Sequence, residues 1–105
     1  MNGADELIFE VIDEYLSIFG DNTKKSIYYF LERNYGLRSK EDIVSNLEKF
    51  HEGLRSIFWI GAYILEKHII IRLQEKTKVQ VPLDPDTDFV EAVKKIRQAI
   101  ENSAP

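Results

Sequence analysis

Apolar residues recur along this chain at intervals of three and four, the period that lines one face of an α-helix. In the first segment Leu7, Ile8, Val11, Ile12, Tyr15, Leu16 and Phe19 keep that interval, with Glu6, Glu10, Asp13 and Glu14 between them. The spacing predicts an amphipathic helix ending at Gly20, where a left-handed residue costs glycine little. Asp21 and Asn22 then offer side-chain oxygens to cap a second helix. That helix carries Ile27, Tyr28, Phe30, Leu31 and Tyr35 and stops at Gly36, so the two form a hairpin.

Ser39 is placed to cap a short turn through Ile43, and Ser45 with Glu48 has capping-box spacing, which starts a new helix near Asn46. Ile43, Leu47, Phe50, Leu54 and Ile57 form a stripe suited to packing on another helix. Glycine inside a helix costs up to about 1 kcal/mol against alanine. Gly53 and Gly61 therefore mark close helix approach or a break, and the break is expected at Trp59 to Gly61.

From Ala62 to Leu73 the chain is apolar on more than one side, as in a helix buried by several neighbours. The run Ile69, Ile70, Ile71 would also suit a strand, but no second strand of similar quality exists to satisfy its backbone, and helix is favoured. Residues 79–88 read as an extended linker, since Pro82 and Pro85 stop any helix there. Asp88 and Glu91 have capping-box spacing, and Phe89, Val93, Ile96 and Ile100 give a last helix one apolar face, with the tail from Ser103 expected to fray. The expected fold is all-α: one domain over 1–105, a bundle of about five helices with Trp59 to Lys76 at its centre.

Composition narrows the function classes. A hydrophobic share of 44% in 105 residues is ample for one packed core and far from that of a disordered chain. The absence of cysteine removes disulfides and thiolate metal sites and fits a reducing compartment. The start of the chain lacks the basic and apolar pattern of a signal peptide, and Glu66, Lys67, His68 and Arg72 interrupt the most apolar stretch, so a cytoplasmic protein without a membrane span is expected. A net charge of −4 argues against a protein whose affinity comes from neutralising phosphates.

Three stretches carry a family resemblance: Gly20-Asp21-Asn22-Thr23-Lys24-Lys25-Ser26-Ile27-Tyr28, Glu41-Asp42-Ile43 with Glu48-Lys49-Phe50-His51-Glu52-Gly53-Leu54, and Gly61-Ala62-Tyr63-Ile64-Leu65-Glu66-Lys67. Together they resemble the archaeal Nitrososphaera output domain family over roughly Val11 to Lys78. The resemblance implies a small helical module, alone or at the end of regulatory proteins, with no catalytic residues to carry over. Trp59-Ile60 stands where a shorter or glycine-rich join is expected of that family, and the segment from Val79 onward lies outside the match.

Candidate chemistry is sparse. Glu48 and His51 make one Glu-x-x-His pair, half of a di-iron carboxylate site, but His68 has no matching glutamate three residues earlier and no metal or other cofactor is expected. His68, near Glu66 and Arg72, has the chemistry of a base or pH switch, though a packed histidine is the simpler reading. No nucleophile motif or phosphate loop is present, and the chain is not expected to be an enzyme. Lys24, Lys25, Arg33, Arg38 and Lys40 cluster around the second helix with Tyr28, Tyr29 and Tyr35, which would support weak, salt-dependent contact with nucleic acid.

The main expectation is a protein-interaction or regulatory output module that self-associates. Surplus apolar residues between Phe58 and Leu73 exceed what one helix face buries in a small bundle. On that helix Tyr63, Lys67 and Ile70 share one side and Leu65, Ile69 and Leu73 another. A homodimer anchored by Trp59, Tyr63 and Ile70 follows, the alternative being that the first and last helices fill both sides.

Overall fold

The computed structural model describes residues 1–103; of the tail expected to fray, Ser103 closes the last helix and residues 104–105 lie outside the described ones. Six α-helices follow in order: α1 Gly3–Leu16, α2 Asp21–Tyr35, α3 Lys40–Ser45, α4 Leu47–Phe58, α5 Gly61–Thr77 and α6 Phe89–Ser103. A 3-10 turn, Ser17–Phe19, extends α1, and no strand occurs among the described residues. The all-α bundle is thus observed, and the short turn after Ser39 is a helix in its own right.

The chemistry of the helix ends explains where each begins. Asn2 accepts from the Asp5 N–H at 2.8 Å, Ser39 from the Asp42 N–H at 3.2 Å, and Asp88 from the Glu91 N–H at 2.8 Å. Each bond satisfies a backbone donor that the first helical turn leaves unpaired. Two expected caps are absent. α2 starts on Gly20 without a side-chain cap, and Asp21 lies in its first turn, where its charge complements the helix dipole. Ser45 ends α3 and donates to the Glu41 carbonyl at 2.7 Å, so the Ser45–Glu48 box does not form and Asn46 precedes α4 without a side-chain bond. A hydroxyl one turn from a free carbonyl bonds back into its own helix instead.

One core joins all six helices: Ile8, Ile12 and Leu16 from α1, Leu31 from α2, Val44 from α3, Phe50 and Leu54 from α4, Ile69 and Leu73 from α5, Val93 and Ile96 from α6. α5 packs against α1, α4 and α6, the central place its apolar sequence required. Pairs Lys76–Glu10 at 2.9 Å and Arg72–Glu14 at 3.4 Å set α1 antiparallel to α5. Gly53 lets α4 approach α2, since a methyl there would overlap the Leu31 side chain. Residues 79–88 form the non-helical connection to α6, tied down by Gln74, which accepts from the Val81 N–H at 3.1 Å. Among the described residues no helix is long and apolar enough to cross a membrane.

Candidate functional site

The joint between α4 and α5 is where the backbone departs furthest from ordinary geometry. Trp59 has φ 54 and ψ −126, and Ile60 follows at φ −65 and ψ −24. These are the angles of a type II′ turn, whose first central residue is ordinarily glycine. A side chain there meets its own backbone, at a cost of about 1–3 kcal/mol. The chain bears that cost without burying the indole: Trp59 is 78% exposed and Ile60 79%.

These two residues begin a row of exposed apolar side chains that Lys67 interrupts. Along α5 the positions Ile60, Ile64, Lys67 and Ile71 share the outward face, because steps of three and four return to the same side of a helix. Ile64 and Ile71 are exposed, while Ala62, Leu65, Ile69 and Leu73 on the opposite face are buried. Tyr63 flanks the stripe, half-exposed, with the Arg55 guanidinium 4.7 Å over its ring and donating to its hydroxyl at 2.6 Å. From α1, the antiparallel register carries exposed Ile18 and Phe19 toward the start of α5, and the Phe19 ring stacks on Phe58 at 5.0 Å.

Of the three anchors expected from the sequence, Trp59 and Tyr63 stand on this surface. Ile70 lies partly buried on the flank of α5, packed against the core. Ile60, Ile64 and Ile71, which periodicity alone did not separate from buried neighbours, occupy the outward positions instead. The signal that would have found them is Lys67, a charge three residues from Ile64 and four from Ile71, which fixes the solvent side.

The basic cluster divides. Lys24 turns to α1, pairing with Asp13 at 3.3 Å and donating to Ser17 at 3.0 Å. Lys25, Arg38 and Lys40 line an open groove of about 360 Å³, together with Tyr28, Tyr29 and Glu32, over an apolar floor of Phe9, Leu37 and Ile43. Arg33 lies outside the groove, its guanidinium 5.9 Å from the Tyr29 ring. The Tyr28 hydroxyl donates to Asp13 at 2.6 Å, and burial followed by that carboxylate raises its pKa well above the ordinary phenol value. Tyr35 leaves the cluster and its hydroxyl donates to Ser56 on α4 at 3.2 Å.

Glu48 and His51 line one open pocket with Glu52 and Asp88, and no bond joins the two. His51 instead bonds Glu66, a buried carboxylate on α5, and its ring stacks on Phe89 at the start of α6 at 6.4 Å. Burial raises the Glu66 pKa, opposed by the bond to His51. This contact between residues fifteen apart on different helices was not legible in the sequence. His68 is exposed and stacks on Tyr15 at 6.0 Å, with neither Glu66 nor Arg72 bonded to it. Among the described residues no three metal-ligating side chains are grouped to hold an ion. No family model matches the chain, and neither a curated protein nor a solved structure matches it.

Proposed function

We propose that this chain is a protein-interaction module of the regulatory output kind, docking through the apolar surface around Trp59 and taking a second copy of itself as partner. The observation that carries this reading is Trp59, held in a glycine-type conformation with most of its indole in solvent. Strain kept at an exposed aromatic points to use of the side chain, because neither packing nor backbone geometry calls for tryptophan there. The resemblance to the archaeal output domain family agrees with a regulatory role and is part of the proposal.

Area supports self-association. Taking about 150–250 Å² for a whole large side chain, the exposed parts of Ile18, Phe19, Trp59, Ile60, Tyr63, Ile64 and Ile71 amount to roughly 800 Å². A standard interface covers about 800 Å² on each partner. Trp59 is the single tryptophan and reports on its own burial. Diluting the protein is expected to shift its fluorescence to the red as the interface opens. Solvent-type emission that does not change with concentration would contradict the reading.

The groove favours a second reading, a nucleic-acid accessory role. It gathers three cations whose charged groups have no carboxylate within 4 Å among the described residues and sets exposed Tyr29 beside them as a stacking face. Three phosphate contacts give a single strand a log–log salt slope of only about −2. Titrating oligouridine at several salt concentrations tests it: weak binding with that slope, lost when Lys25, Arg38 and Lys40 become alanine, agrees, whereas no binding at low salt removes it.

A further inference from the structure

Resting on the self-association proposed above, we infer that two copies cross antiparallel on α5 at Ile71, with Lys67 of each copy facing Glu75 of the other. Lys67, Ile71 and Glu75 are spaced by four residues on the outward face, so one helix turn separates each from the next. All three are exposed, Ile71 at 50%. Neither Lys67 nor Glu75 has an oppositely charged group within 4 Å among the described residues. Their neighbours Arg72 and Lys76 are already paired to α1.

A two-fold axis makes the interface isologous: whatever position faces another is faced by it in return. With the axis through Ile71, the two isoleucines meet on it and the Lys67–Glu75 attraction occurs twice. Other registers do worse. An axis between Lys67 and His68 would pair Ile64 with Ile71 but press Lys67 against Lys67 and His68 of the second copy at the centre. An axis through Ile64 would leave Ile71 beyond the contact and give Lys67 no acid. Like charges face to face reject a register, and opposite ones select it.

Sedimentation velocity on four full-length proteins tests the register: wild type, Lys67→Glu, Glu75→Lys and the double exchange. The changed residues are exposed, and helix content by circular dichroism checks the fold. Each single reversal sets like charges together twice and is expected to weaken dimerisation about ten-fold or more, while the double exchange restores it to near wild type. A dimeric wild type whose double exchange stays dissociated, whose Glu75→Lys is unaffected or whose Lys67→Glu associates more tightly overturns the Ile71 crossing while leaving self-association standing. A monomeric wild type removes both.

Discussion

Among the helix ends that carry a residue at positive φ, those after α2 and α4 are treated differently. After α2 the residue is Gly36, at φ 70 and ψ 18, and the Leu37 N–H turns back to the Leu31 carbonyl at 3.2 Å, burying Leu37 in the core. Glycine adopts that conformation at no steric cost. After α4 the residue is Trp59, in a region more restrictive than the ordinary left-handed one that Lys78 occupies at φ 57 and ψ 22. The first joint serves the fold, with the side chain removed to ease the turn. The second retains the largest side chain of all and directs it outward, which is intelligible when that side chain has work beyond the monomer.

Substitutions sharpen this contrast. The largest effect is expected at Gly53, where the helices leading to the two joints touch: Gly53→Val forces apart α2 and α4 and is expected to cost about 3 kcal/mol in urea unfolding. Gly36→Val places a β-branched residue in the left-handed conformation and should cost about 2 kcal/mol. Trp59→Gly is expected to act in the opposite direction, raising stability by about 1 kcal/mol through released strain while abolishing self-association. A Trp59→Gly protein that unfolds as readily as Gly36→Val would show that both joints are merely structural.

The smallest effect concerns the buried side of α5, opposite the docking stripe. Because burial raises the Glu66 pKa in the folded state, the folded chain binds its proton more tightly than the unfolded one. Its stabilisation is present below the ordinary carboxylate range and is lost as pH rises through the elevated folded value. Glu66→Gln, which keeps a polar partner for His51, should remove that part of the pH dependence. Unfolding curves across the acidic to neutral range check this, and identical pH profiles for the two proteins would contradict it.

Much of the fold was legible because helix period, capping residues and glycines are local signals. Ser39, Asp88, Gly36 and Gly53 each acted as their spacing implied. The Asp21 and Asn22 caps and the Ser45–Glu48 box did not form, because the bonds at a helix end depend on geometry that spacing does not encode. The site was legible only in part. An apolar excess around α5 shows in composition, yet Ile69, Ile70 and Ile71 are chemically alike, and only the packed neighbours leave the first buried, the second on the flank and the third in solvent. The strain at Trp59 had no sequence signature beyond the absence of a glycine at the turn.

Sedimentation equilibrium of the unmodified chain, from micromolar to submillimolar concentration and beside Trp59→Gly, tests the central claim most directly. Wild type should show a monomer–dimer equilibrium and Trp59→Gly a monomer mass at every concentration. A monomeric wild type throughout, or a Trp59→Gly dimer of undiminished affinity, would contradict the account.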